Sequence, residues 1–274
     1  MAAMKTLVVK LGGEVVGSPE MDAVAADVRE LVARGHRVAL VHGGGPQATA
    51  LQRRLGIETR MVAGKRFTDP ATLEVMKYAV AGQVNVDLCA ALLRNGVMGV
   101  GLHGASGHAI QAARRPPRVL TGAGPEPVDL GLVGDVTGFN LPLLGDLWER
   151  GYVPVLACLG LSREGEALNI NGDTVASQLA GALRADALVL VTSTPGVLRD
   201  VRDPASRVGR MTRAAFREGV AAGTISGGMI PKLEESFAVL SGGARSVVIV
   251  GKLRPGDLLS AVLEPGTVGT VLEG

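Results

Sequence analysis

Short apolar runs alternate along this chain with segments whose apolar residues recur every three or four positions. The first run, residues 6–11, ends at Gly12-Gly13. Met21, Val24, Val28, Leu31 and Val32 then mark one helix face, with Ser18 as its cap, Pro19 at its first position and Gly35 at its end. Residues 38–42 form a second run, and Gly43-Gly44-Gly45-Pro46 leads into a helix carrying Ala48, Leu51 and Leu55 and stopping at Gly56. Leu73, Met76 and Val80 predict a third helix after Asp69-Pro70, and Val84, Leu88 and Leu92 a fourth ending near Gly96. A strand over 99–104, a loop or hairpin over 114–127 and a hairpin over 128–140 come next. A helix with Leu141, Leu144, Leu147 and Trp148 then runs into a buried strand at 152–156. The second half repeats the order. Helices carrying Val175, Leu179 and Leu183, then Leu233, Phe237 and Leu240, separate strands at 187–192 and 246–250, and a short helix falls near Leu258. Strands alternating with helices predict an α/β fold, a mainly parallel sheet covered by helices. No linker stands out, so two lobes sharing one continuous sheet are expected, 1–174 and 175–274.

Composition narrows the picture. The chain has 274 residues, enough for a sizeable core, with 47% apolar and 20% charged residues. A net charge of +2 and an aromatic share of 3% give no reason to propose nucleic acid or membrane partners. Cys89 and Cys158 lie in apolar surroundings without ligand spacing and read as core residues in a reducing compartment. The opening residues lack a secretory pattern, and no apolar run is long enough to cross a bilayer, which places the chain in the cytoplasm.

The glycine turns carry the candidate chemistry. Glycines between a strand and a helix leave backbone N–H groups uncovered at the positive end of the helix, a place for an anion. Four such stretches occur: Lys10 with Gly12 and Gly13, the Gly43 to Gly45 turn, Asp173 at a helix start, and Gly227-Gly228 with Lys232. Arginine is the usual cation here and lysine is scarce, so lysines beside glycine loops stand out; a compact ammonium suits one phosphate oxygen. Two lysines, donor turns and a carboxylate suit phosphoryl transfer, which needs positioning and positive charge around the moving group. Neither a Walker A sequence nor a His-Arg-Asp triplet is present. Gly99-Val100-Gly101-Leu102-His103-Gly104 mimics a dinucleotide fingerprint, but its glycines lie within a strand and open no helix. His103 and His108 lack the carboxylates or cysteines of a metal site, and no metal ligand is assigned.

Val-Lys-Leu-Gly-Gly at 9–13, Val-His-Gly-Gly-Gly-Pro-Gln at 41–47, Asn-Ile-Asn-Gly-Asp-Thr at 169–174 and Gly-Thr-Ile-Ser-Gly-Gly-Met-Ile-Pro-Lys at 223–232 resemble the amino acid kinase superfamily, and within it the acetylglutamate kinases. The resemblance implies a three-layer αβα sandwich with a mainly parallel central sheet, and ATP and Mg2+ as cosubstrates. The implied reaction phosphorylates the γ-carboxylate of N-acetyl-L-glutamate in arginine synthesis. By the same resemblance Lys10 and Lys232 stabilise the transferred group, Asp173 organises them, and Gly13 and Gly44 donate backbone hydrogen bonds. Gly44, Gly45, Arg66, Asn169 and Asn171 stand at the acceptor, with Asn171 equally readable as turn structure. Lys10, Gly12, Gly13, Thr192, Ser193, Pro195, Gly196, Val197, Ser226, Gly227, Gly228, Met229 and Lys232 stand at the nucleotide. The first lobe is expected to bind the amino-acid substrate and dimerise, the second to bind nucleotide.

Departures from the family pattern fall at Ser193, where an aspartate is usual, and at Ala105-Ser106. Members inhibited by arginine carry an extra N-terminal helix; few residues precede the first strand here, so a homodimer not inhibited through such a helix is expected. The rivals are a kinase for carrier-linked aminoadipate or another carboxylate such as glutamate, and a ligand-sensing homologue without turnover.

Overall fold

The computed structural model describes residues 3–200, 202–225 and 229–273, and the side chains of Pro204, Pro231 and Lys232 lie outside that description. Alternation along the opening strand decides the layering. In β1 (Thr6–Leu11), Leu7, Val9 and Leu11 enter one apolar core and Val8 enters the other, so the strand is buried on both faces. After α1 (Glu20–Ala33), β2 (Arg37–His42) repeats this, with Val38 and Leu40 on one side and Ala39 and Val41 on the other. Next come α2 (Gly45–Arg54), a small hairpin of β3 (Met61–Val62) and β4 (Lys65–Arg66), and α3 (Pro70–Met76). A π-helical stretch over Lys77–Val84 joins α3 directly to α4 (Asn85–Arg94). The chain continues through β5 (Gly99–Leu102), β6 (Ile110–Arg114), β7 (Gly134–Phe139), α5 (Leu141–Glu149), β8 (Val153–Ala157), β9 (Leu159–Leu161), β10 (Ala167–Asn169) and α6 (Gly172–Ala182). The last elements are β11 (Ala187–Thr192), β12 (Arg210–Thr212), α7 (Arg213–Ala221), α8 (Met229–Ser241), β13 (Val247–Gly251), α9 (Asp257–Leu263) and β14 (Thr270–Glu273).

Eight strands form the central sheet in the order β12-β14-β13-β11-β1-β2-β8-β5. The six from β13 to β5 are parallel, and β14 runs antiparallel to β13. Helices α1, α4 and α9 bury Val24, Leu88 and Leu258 on one face; α3, α5, α6 and α8 bury Leu73, Leu144, Leu179 and Phe237 on the other. The αβα sandwich and its mainly parallel sheet are therefore as expected. β1 lies at the centre between β2 and β11, and there the strand order reverses. Open parallel sheets bind ligands at such a point, outside the carboxyl ends of the strands.

Three local expectations are corrected. Ser18 does not cap α1: its hydroxyl donates to the Val15 carbonyl at 2.8 Å, and the N-cap position falls to Pro19. The two helices expected over 70–96 are one continuous helical segment, because the π-helical turns absorb the break in apolar spacing. Residues 128–140 do not form a hairpin by themselves; β7 pairs antiparallel with β6 across the long 115–133 loop. With β9 and β10 these strands make a second, four-stranded sheet over the α6 side.

Candidate active site

Lys10 shares the parity of Val8, so its side chain faces the α6 layer at the carboxyl end of β1. There its ammonium meets the Asp173 carboxylate at 2.9 Å, in the first turn of α6, and only 14% of the lysine side chain is exposed. The Asn171 side chain caps this helix by accepting from the Asp173 N–H at 2.7 Å. Asn171 thus fixes the turn and also lines the adjoining cleft.

Three turns converge around that ion pair. A Cβ on Gly13 would lie 3.2 Å from the Gly44 α-carbon, and one on Gly172 3.4 Å from the Gly43 nitrogen, so backbone packs on backbone where no side chain fits between. Gln47 Nε2 donates to the Gly13 carbonyl at 2.6 Å and ties the β1 turn to the β2 turn. The first-turn N–H groups of α2 and α6 have no intrahelical acceptor, and both helix N-termini border a cleft of about 320 Å3. Lys10, Gly12, Gly13, Gly44, Gly45, Arg66, Asn169 and Asn171 all line it.

Arg66 enters from β4. Its guanidinium donates to Gln52 Oε1, to the Gly45 carbonyl at 3.1 Å and to Thr49 Oγ1 at 2.8 Å. Burial lowers its pKa, yet a guanidinium stays cationic, so a fixed positive fork edges the cleft. Asn169 is buried and its Nδ2 donates to Thr68 Oγ1 at 3.0 Å. Cys158 lies in the wall; burial pushes its thiol up to about 11, against a smaller lowering by Lys10, so it stays a neutral wall atom. Neither Arg115 nor Glu235 is singled out by the sequence, although both line the cleft. Arg115 is 13% exposed and paired to Asp135 at 2.7 Å. Its position inside a Pro- and Arg-rich loop masks it among surface cations.

A second cleft, of about 560 Å3, opens beyond β11 between residues 194–200 with Arg202 on one side and residues 223–225 with Met229 on the other. Gly196, Val197 and Met229 line it, joined by Thr194, Arg199 and Ile225. Thr192, Ser193 and Pro195 are not in its wall. The Thr192 hydroxyl is turned onto the Thr194 carbonyl at 3.1 Å, shaping the turn from beneath. Ser226, Gly227 and Gly228 lie outside the described residues, as does the Lys232 side chain; Lys232 itself falls within α8.

A parallel α/β sandwich whose strand ends carry donor turns and a held ammonium belongs to the phosphate-handling enzymes. Residues 5–251 match the amino acid kinase family. The chain is 80% identical over 270 residues to the acetylglutamate kinase of Anaeromyxobacter dehalogenans (strain 2CP-C), covering 98% of this chain and 100% of that protein. It is 58% identical over 266 residues to the acetylglutamate kinase of Sorangium cellulosum (strain So ce56), covering 97% and 94%. Among solved structures, smu.665 from Streptococcus mutans UA159 superposes with a TM-score of 0.76 at 27% identity, covering 98% of each chain. This chain belongs to the amino acid kinase family.

Proposed function

We propose that this chain catalyses ATP-dependent phosphorylation of the γ-carboxylate of N-acetyl-L-glutamate, giving N-acetyl-L-glutamyl 5-phosphate and ADP, the second step of arginine synthesis. The observation that carries this reading is the Lys10–Asp173 ion pair set among three donor turns, in a chain 80% identical to an acetylglutamate kinase over nearly its whole length. In this assignment Lys10 neutralises charge on the moving phosphoryl group, Asp173 holds the ammonium in place, and the Gly13 and Gly44 N–H groups donate to the equatorial oxygens. Gly45, Arg66, Asn169 and Asn171 receive the amino-acid substrate; a planar cation suits its α-carboxylate. The second cleft takes the nucleotide, with Gly196, Val197 and Met229 in its wall and Thr192, Ser193 and Pro195 in the turn that leads into it, where the Thr192 hydroxyl donates to the Thr194 carbonyl. Gly12 lines the first cleft. Lys232 is assigned by the resemblance as the second cation on the moving group, and Ser226, Gly227 and Gly228 as nucleotide contacts, roles that fall outside the described residues and side chains.

Mg2+ would neutralise charge between the terminal phosphates. Among the described residues no three His, Cys, Asp or Glu side chains cluster as a metal cage. Glu14 does line the first cleft, with its carboxylate folded over Gly12. Separate carboxylates, Glu14 and Glu235 in the cleft wall and Asp173 on Lys10, and no cage among the described residues fit an ion that arrives on the nucleotide and keeps most of its waters.

The division of labour follows: residues 1–174 bind the amino acid and dimerise, and 175–274 bind nucleotide. Dimerisation rests on an exposed apolar face, Tyr78, Val86 and Leu93, beside Met98 and the unpaired edge of β5. No helix among the described residues is long and apolar enough to cross a membrane, and an enzyme consuming ATP and a free amino-acid derivative is placed in the cytoplasm. A coupled ADP-release assay over a panel of acceptors, with hydroxylamine trapping of the acyl phosphate, tests the reading. Turnover with free N-acetylglutamate and none with aspartate or carbamate is expected. Activity only on another carboxylate, or none, would overturn it.

A further inference from the structure

His42 lies at the end of β2 with the parity of Val38 and Leu40, so it faces away from Lys10, into the α1/α4 layer. It is fully buried. Its Nδ1 lies 2.8 Å from the Gly43 carbonyl oxygen and its Nε2 lies 2.8 Å from Asn85 Nδ2. A carbonyl only accepts, so Nδ1 carries the proton, and Nε2 of the neutral ring is left as an acceptor for the amide. Asn85 Nδ2 spends its other hydrogen on the Val155 carbonyl at 3.1 Å. Turning the amide over would set its oxygen against that carbonyl, so one arrangement of the network satisfies both ring nitrogens and both amide hydrogens. Burial drives the imidazole pKa down to about 4, in keeping with a neutral ring.

We propose that His42 and Asn85 form a positioning pair that sets the Gly43–Gly44 peptide for catalysis from the side of the sheet opposite the substrate. The proposal rests on the functional reading above, in which the Gly44 N–H donates to the transferred group. In a trans peptide the carbonyl of one residue and the N–H of the next point in opposite directions. Holding the Gly43 oxygen on the α4 side therefore aims the Gly44 N–H at the cleft. The π-helical stretch supplies the second constraint. A Cβ on Gly44 would lie 2.9 Å from Val80 Cγ2 and 3.4 Å from Val84 Cγ2, so this segment backs the turn. The stretch ends where Asn85 begins α4, which delivers the amide to His42. Room for Asn85 is left by Gly101, where a Cβ would lie 1.9 Å from Asn85 Oδ1. His42 touches no substrate; it acts through one peptide plane.

The test compares wild type with His42→Leu, His42→Asn and Asn85→Leu, each first confirmed folded by circular dichroism and thermal melting. His42→Leu removes the donor to Gly43, and kcat falls about 10- to 100-fold while KM for N-acetylglutamate and for ATP stays within about threefold. His42→Asn keeps an N–H near the place of Nδ1 and recovers kcat to within about fivefold of wild type. Asn85→Leu frees the ring and gives an intermediate loss. A folded His42→Leu with wild-type kcat, or His42→Asn as impaired as His42→Leu, overturns the proposal. A second readout does not depend on turnover: 15N spectra of histidine-labelled wild type report a neutral ring protonated at Nδ1. An Nε2-protonated or charged ring overturns the pairing even in an active enzyme. Wild type inactive on N-acetylglutamate refutes the functional reading, and the 15N spectrum still decides the pairing.

Discussion

Lys10 and Asp173 come from segments more than 160 residues apart, and each reaches the other because its backbone element ends there. A lysine at a strand end swings freely in water; here its ammonium is held at 2.9 Å by a carboxylate in the first turn of α6. Preorganised charge of this kind stabilises a transition state without reorientation during reaction. Lys10→Ala is expected to lower kcat by about 10²- to 10³-fold, roughly 3–4 kcal/mol, with a smaller change in KM. Steady-state kinetics checks it, and unchanged kcat would remove Lys10 from the mechanism.

A second residue-scale prediction concerns pH. Burial lowers the His42 pKa from 6.5 to about 4, so between those values the unfolded chain binds a proton that the folded chain refuses. Stability therefore rises with pH across that window and is lost as pH falls from about 6.5 toward 4. His36 adds in the same direction, its pKa lowered by burial and then by Lys5 and Arg34. Between pH 7.5 and 5 the His42 contribution amounts to roughly 2 kcal/mol. Urea melts of wild type should weaken over that interval by about this much more than melts of His42→Asn. Equal weakening would mean that His42 titrates normally.

Among the elements, α9 depends on α1 through one carboxylate. Asp27 is 3% exposed, and its oxygens accept from the N–H groups of Gly256 at 2.7 Å, Leu258 at 2.9 Å and Leu259 at 3.2 Å. It is a capping residue supplied by a different helix, for a helix whose own N-cap is Gly256. Asp27→Ala leaves these buried donors without acceptors and should cost roughly 2–4 kcal/mol. Chemical denaturation measures this, and kcat per folded molecule should be unchanged because α9 lies away from both clefts. A loss below about 0.5 kcal/mol would mean that water replaces the carboxylate.

The same element scale shows what the sequence makes readable. The central strands were plain because burial on both faces leaves unbroken apolar runs such as Ala187–Thr192. The glycine turns were plain because backbone packs on backbone at Gly13 and Gly172, and Val80 leaves no room for a side chain at Gly44. Three-residue strands such as β9 and β12 carry too few positions for a period, and α7 offers only Phe216 and Val220 as large apolar residues at helical spacing in nine positions. The π-helical stretch hides because its spacing belongs to neither template. Arg115 and Asn85 were missed for another reason: their partners Asp135 and His42 are set by folding, and no local spacing announces a pair 20 or 43 residues apart.

On the scale of the whole molecule, the sandwich leaves one sheet edge and one helix face exposed side by side. β5 closes the sheet with a single neighbour, β8, and such an edge invites pairing unless it is covered. The helical segment leading to it exposes Tyr78 at 57%, Val86 at 63% and Leu93 at 60%, and Met98 just before β5 is 53% exposed. Positions 78, 82, 86, 90 and 93 follow helical spacing, so these side chains lie along one face, with Gly82 and Ala90 keeping it low enough for close approach by a second helix. A two-fold axis through this face would set the segment against its own copy, the self-complementary arrangement that C2 dimers require. Asn85 projects inward from the same helix toward His42, so the proposed dimer face and the glycine turn share one rigid support. Val86→Glu with Leu93→Glu puts two like charges on each side of the contact. Light scattering should then report a dimer for wild type and a monomer for the double variant, and kcat should drop in parallel as the support loosens. A double variant that remains dimeric would move the interface elsewhere, and a monomer with full kcat would show that the turn is held without the partner.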